Sequence, residues 1–169
     1  LKGRRYVIGF VDKYSGFKLH FVTRSKKNYH DYVQKALFIF GHIETLRGGQ
    51  EIKTNELEAL CRAKGISIQR AVPYQHTDLG PVERSWLTIA DLDRSMRNWA
   101  GAPKEFWSWS WLHAVDVTNR LPNMADPARR SPYDIVSNID HPLIDDASTM
   151  PIWGCLAYVH IPAEKQQSK

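Results

Sequence analysis

Arg5-Tyr6-Val7-Ile8-Gly9-Phe10-Val11-Asp12 is an apolar run, rich in β-branched and aromatic residues and closed by charge at both ends. Such a run predicts a buried strand. Turn-forming Lys13-Tyr14-Ser15-Gly16 follows, and Phe17–Thr23 then largely alternates apolar with polar side chains. Alternation turns one face to the core and one to water, so the two segments predict a hairpin covered on one side.

Working outward, the covering elements lie downstream. Tyr29, Tyr32, Val33, Ala36, Leu37 and Phe40 recur at helical spacing, and Gly41 ends that helix. His42–Leu46 predicts a short strand. Thr54 or Asn55 caps a second helix, Glu56–Lys64, with Leu57 and Leu60 inward and Gly65 as its stop. Ile66–Val72 alternates as a strand before Pro73, which cannot donate to a ladder. Pro81 opens a third helix running to about Trp99, and a fourth spans Lys104–Arg120 before Leu121-Pro122. Tyr133–Ser137 predicts a helical turn, and Pro151–Pro162 a last strand centred on Gly154–Val159. This order of elements predicts an α/β domain with a mixed sheet.

With 169 residues, 43% of them hydrophobic, the chain suits one domain around one core. No apolar run approaches the roughly 18 residues that span a bilayer. Leu1-Lys2-Gly3-Arg4-Arg5 carries the charge of a signal peptide's first region, but the apolar run after it stops at Asp12. The expectation is therefore no secretory signal and an intracellular place, nuclear or cytoplasmic. A chain that opens on Leu1 rather than Met reads as an excised piece. Cys61 and Cys155 are isolated, which fits neither a disulfide framework nor a zinc module. A formal charge of +5 and a pI near 9.3 permit phosphate binding without requiring it.

Several segments share an order with one known family. Tyr6–Val11 closes with Asp12-Lys13-Tyr14-Ser15. Leu60–Ile66 forms a helix-Gly-Ile junction. Val72-Pro73-Tyr74 precedes Gly80-Pro81-Val82-Glu83-Arg84. Phe106-Trp107, Ala114 and Asn119-Arg120-Leu121-Pro122 share one helix. Ser131-Pro132-Tyr133 and Trp153-Gly154-Cys155 follow. Together these resemble the integrase core of copia-type retrotransposon Pol polyproteins. The resemblance covers Gly3 to about Pro162. It implies an RNase H-like fold with sheet order 3-2-1-4-5 and flanking helices. It also implies a core over residues 1–122 and a C-terminal extension over 123–169.

The chemistry of that family is attack on phosphorus by water or a 3′-hydroxyl, supported by two divalent metals about 4 Å apart. Mg²⁺ or Mn²⁺ wants oxygen ligands, and the family supplies them from three carboxylates. Glu83, near a helix start and followed by Arg84, matches the third carboxylate and is the candidate catalytic and metal residue. Counting thirty-six positions back from Glu83, the family spacing, lands on Arg47, so either Arg47 replaced the second Asp or a short deletion removed it. An arginine cannot bind Mg²⁺ and cannot lose its charge. Glu51 is the nearest carboxylate but matches a non-ligand position. The first Asp falls upstream of Leu1, and Asp12 reads as a turn residue instead. The block near Glu83 also departs from the family at His76 and Leu79.

The expectation is an integrase catalytic-core relic, with DNA integration by descent and no catalysis of its own. A non-catalytic module that grips DNA or an integrase chain is one alternative. An active nuclease using Asp12, Glu51 and Glu83 is another. In the family order the absent first strand is central, so the edge of Arg5–Asp12 is expected to invite pairing with another chain. Arg84, Lys64 and Arg94 are the candidate DNA-binding residues, within a wider basic set that includes Arg24, Lys26, Lys27, Arg62 and Arg97. DNA and self-association are the expected partners, with no membrane and no small-molecule substrate. Trp107 and Trp111, four residues apart, are expected to pack in the core rather than stack on bases.

Overall fold

Tyr6–Val11 forms strand β1, and Lys18–Thr23 forms β2 antiparallel to it, from Tyr6 opposite Thr23 to Val11 opposite Lys18. The turn between them is built by Asp12, whose carboxylate accepts the Ser15 backbone N–H at 2.8 Å and its hydroxyl at 2.6 Å. In this computed structural model, residues 3–49, 52, 54–70, 80–124, 126–138 and 150–158 are described.

Helix α1, Tyr29–Phe40, sends Val33 and Ala36 inward. Strand β3, Thr45–Gly48, pairs in parallel with β4, Ser67–Arg70, through the crossover helix α2, Asn55–Lys64. The expected strand over His42–Leu46 thus begins later, because the ladder forms only where Ser67–Arg70 runs alongside, and Ile43 packs onto the core instead. Thr54 caps α2, its hydroxyl accepting the Leu57 N–H at 3.2 Å. Gly65 closes the helix at φ 69°, and Glu56 and Glu58 at one end with Arg62 and Lys64 at the other suit the helix dipole. Val33, Leu46, Ile52, Leu57, Cys61 and Ile66 form the core of this half, and Phe10 of β1 packs against it.

Helices α3, Gly80–Trp99, and α4, Trp107–Arg120, cover β1 and β2. The second core is Ile89, Trp111, Ala114 and Val115, joined by Val7, Trp86 and Trp107. The expected helix over Lys104–Arg120 divides: Lys104–Phe106 is a 3₁₀ turn behind Pro103, and the α-helix starts at Trp107. Phe106 and Leu112 are 38% and 37% exposed. Leu112 lies about 100° round the helix from Trp111, and the latter's face is the one that meets α3. Helix α5, Pro132–Val136, starts from a capping box of Ser131 and Asp134 and lies beside α4, with the Arg120 guanidinium 4.8 Å from the Tyr133 ring centre.

The domain is α/β, but its mixed sheet is divided. Among the described residues the four strands make one antiparallel and one parallel pair, with no strand joining them. The expected last strand does not form over Pro151–Tyr158. Gly154 turns at φ 79° and Cys155 donates back to Ile152, leaving Leu156 and Tyr158 exposed. Val159–Pro162 lies outside the described residues. No helix among them is long and apolar enough to cross a membrane.

Candidate functional site

Helix α3 presents the candidate residues. Its buried positions Ser85, Ile89 and Asp93 recur every fourth residue. That stripe fixes the rotation of the helix and leaves Glu83, Arg84, Leu87, Thr88, Asp91 and Arg94 exposed. Glu83 lies in the first turn, where the helix dipole favours a negative charge. Arg84 is next to it, about 100° round the axis. Arg94 is eleven residues further on, so it shares the stripe of Glu83 at a distance of about 16 Å along the helix. The Arg94 guanidinium pairs with Asp91, and its Nε donates to the Ala90 carbonyl at 3.2 Å. Lys64 stands apart from these three, exposed at the C-terminal turn of α2.

Among the described residues Glu83 is not joined by a ligand set. Among the described residues no three His, Cys, Asp or Glu side chains gather as a metal site would require. The Asp12 carboxylate is engaged by Ser15 in its turn, in keeping with the structural reading of that residue. Arg47 stands on β3 and donates to Gln69 Oε1 from Nε at 3.2 Å and from a terminal nitrogen at 2.6 Å. Glu51, His76 and Leu79 lie outside the described residues. The described residues therefore do not fit a pair of divalent metals.

The motif landmarks turn out to be joints of the scaffold. Asn119 clamps the hairpin from α4: its side-chain oxygen accepts the Lys18 N–H at 2.8 Å and its amide donates to the Lys18 carbonyl at 2.7 Å. Asp12 with Ser15 and Ser131 with Asp134 are self-contained turns and caps. Trp111 is buried and Trp107 packs on the same core, as their spacing predicts, while Trp109 is 50% exposed.

Two buried polar centres escaped the sequence reading. His20, Trp86 and Trp111 form a triangle of rings, with centres 5.0 Å apart for His20 and Trp86, 6.0 Å for His20 and Trp111 and 5.4 Å for Trp86 and Trp111. The His20 Nδ1 accepts the Trp111 indole N–H at 2.9 Å. Burial, and then the Lys18 charge, push its pKa down to about 4. Asp93 on α3 accepts from Arg97 at 2.7 and 3.1 Å and from the Ser110 hydroxyl of α4. The hydrogen bond to Asp93 raises the Arg97 pKa. The signal for Asp93 was present in its four-residue spacing from Ser85 and Ile89. His20 left none beyond a polar residue in an alternating strand.

No family model matches the chain. It is 27% identical over 171 residues to the retrovirus-related Pol polyprotein from transposon TNT 1-94 of Nicotiana tabacum, covering 97% of this chain and 12% of that polyprotein. The chain thus spans about an eighth of the curated relative it matches. Among solved structures it is similar to the simian T-cell lymphotropic virus intasome in complex with PP2A regulatory subunit B56 gamma. That likeness has a TM-score of 0.65 at 17% identity over 96% of this chain and 54% of the other. The HTLV-2 integrase catalytic core domain in complex with magnesium, in a trimeric form, has a TM-score of 0.59 at 15% identity, covering 77% of this chain and 91% of that one. The catalytic core domain of BIV integrase has a TM-score of 0.61 at 17% identity, covering 78% and 85%. Its fold is that of integrase catalytic cores, and its sequence aligns with a segment of a retrotransposon Pol polyprotein.

Proposed function

We propose that this chain is the catalytic-core segment of a copia-type retrotransposon integrase, that it binds DNA through the outward side of α3, and that it does not catalyse integration by itself. The observation that carries this reading is Glu83 beside Arg84 on the exposed first turn of α3, in a chain that aligns with a Pol polyprotein over 97% of its length. Arg84, Lys64 and Arg94 are the phosphate-binding residues, with Arg84 first because it is exposed on the first turn of α3, whereas Arg94 is paired with Asp91. Mg²⁺ or Mn²⁺ serves the intact family. Glu83 alone offers too few oxygens for a metal pair, and Arg47 at the second carboxylate's place adds a fixed positive charge instead.

Residues 1–122 act as the core and 123–169 as its C-terminal extension, a division supported by the packing of α5 against α4. The segment works on DNA inside the cell, in the nucleus or cytoplasm. The intasome and trimeric assemblies of its structural neighbours favour self-association as a second mode of partnership. A nuclease built on Asp12, Glu51 and Glu83 is disfavoured by the engagement of the Asp12 carboxylate with Ser15.

Fluorescence anisotropy with a labelled duplex at rising salt tests the binding. The affinity should fall steeply with salt, Arg84→Ala should reduce the log–log slope by about 1, and Glu83→Gln should leave binding intact. Absence of binding at low salt, or binding indifferent to salt, contradicts the proposal.

A further inference from the structure

The hairpin carries its charge unevenly. Asp12 is the only acidic residue from Gly3 to Asn28, and it closes the turn end, roughly 20 Å along the strands from the open end. The open end holds five cations, Arg4 and Arg5 ahead of β1 and Arg24, Lys26 and Lys27 beyond β2, all of them exposed. Among the described residues none of the five forms an ion pair. Like charges gathered on one surface repel one another, and an anion placed among them relieves the repulsion.

The two segments make one surface on a fixed frame. The Arg5 N–H donates to the Thr23 carbonyl at 3.0 Å, and a Cβ on Gly3 would lie 3.6 Å from the Arg24 side chain. The Lys26 ammonium stands 5.5 Å from the Tyr6 ring centre. Hydroxyls pin the chain beyond β2. Thr23 Oγ1 accepts the Ser25 N–H at 3.3 Å and the Tyr32 hydroxyl at 2.8 Å, and Ser25 Oγ accepts the Lys27 N–H at 3.1 Å. Cations on a preset frame lose less freedom on binding. The surface also has a side. Val7 and His20 meet α3 and α4, whereas Phe10, Phe21 and Thr23 meet Tyr29 and Tyr32 of α1. Tyr6 stands opposite Thr23 in the ladder, so it shares the α1 side and brings Lys26 with it. Arg84 and Arg94, exposed on α3, belong to the other side of the hairpin.

We propose that the open end of the hairpin is a second surface for duplex DNA, separate from the outward side of α3, and that Arg4, Arg5, Arg24, Lys26 and Lys27 hold its phosphates. Five clustered cations with no acid among them complement a phosphate backbone, whose charge is all of one sign. Tyr6 is the one ring of the patch, and Lys26 stands over it, so an unpaired base finds no open platform on which to stack. That favours a duplex, whose bases are turned inward, over a single strand. The choice of DNA rests on the proposed function, whereas the surface does not, since it shares no residue with α3.

The test measures binding of the full chain to a short labelled DNA duplex over a range of salt. A single DNA strand, an RNA duplex and a polyglutamate peptide of matching length are run beside it. Replacing Arg24, Lys26 and Lys27 together by glutamine should lower the log–log salt slope by about 2 to 3. Arg4→Gln with Arg5→Gln should lower it by about 2, and decides the matter if the triple variant does not fold. Arg84→Gln with Arg94→Gln should leave salt-dependent binding that vanishes only when the hairpin substitutions are added. Tyr6→Leu should leave the duplex affinity nearly unchanged, and a loss of about tenfold there would mark base stacking and overturn the duplex as ligand. An unchanged slope in the hairpin variants overturns the proposal, as does loss of all binding in the α3 variant with the hairpin intact. Tighter binding of the single strand, the RNA duplex or polyglutamate than of the DNA duplex also overturns it. If only the hairpin variants lower the slope, this surface stands and the α3 reading falls.

Discussion

Beneath β3 and β4 the interior is aliphatic, made of Val33, Leu46, Ile52, Leu57, Cys61 and Ile66, and no described residue from Arg24 to Arg70 is a buried polar one. Beneath β1 and β2, Ile89, Trp111, Ala114 and Val115 share the space with His20, Asp93, Ser110 and Asn119. The first half is held by non-directional burial, which tolerates rearrangement, and the second by directed bonds that tolerate very little. The Asp12, Asn119 and Ser131 landmarks fall on the polar half or its margin. They mark the joints of the scaffold, so a match to them reports fold rather than surviving chemistry.

Breaking the polar half at the buried Asp93–Arg97 ion pair should have the largest effect. Asp93→Ala leaves Arg97 without its partner and Ser110 without its acceptor, and should cost about 4 kcal/mol in chemical denaturation. Leu57→Ala, a truncation of a fully buried side chain in the aliphatic half, should cost about 3 kcal/mol. A smaller effect for Asp93→Ala than for Leu57→Ala would remove the contrast between the halves.

Acid should separate the halves next. His20 titrates near 6.5 when unfolded and at about 4 when folded, so the unfolded chain binds the extra proton between those values. Its contribution is complete above pH 6.5 and is lost as the pH falls toward 4. The natural chain should lose roughly 2.5 kcal/mol more than His20→Phe between pH 7 and pH 4.5. Parallel pH profiles for the two proteins would show that the histidine is not held neutral by its site.

The same contrast sets how much was legible in the amino acids. Helices α1 and α2 and the hairpin were readable because their cores follow simple periods, with Val33 and Ala36 three apart and Leu57 and Cys61 four apart. The division of the sheet into two pairs was legible only as an expected edge, since pairing depends on which strands are present rather than on any one strand's pattern. The strand expected at Gly154–Val159 was misread where it is described: β-prone residues there follow a glycine turn and find no neighbour to pair with. His20 and its bond to Trp111 were invisible, because the two residues are far apart in the chain and neither breaks a period. Of the site, the exposure of Glu83 and Arg84 on one helix followed from the spacing of Ser85 and Ile89, whereas the engagement of Asp12 and Arg47 with their neighbours required the fold.

The central claim is that a lone Glu83 marks descent without catalysis, and joining of DNA ends tests it most directly. The purified chain is incubated with a recessed-end duplex and Mg²⁺ or Mn²⁺, beside Glu83→Gln, and strand transfer is read on a gel. The account predicts no joined or nicked product above background from either protein. Metal-dependent product from the natural chain that disappears in Glu83→Gln would contradict it.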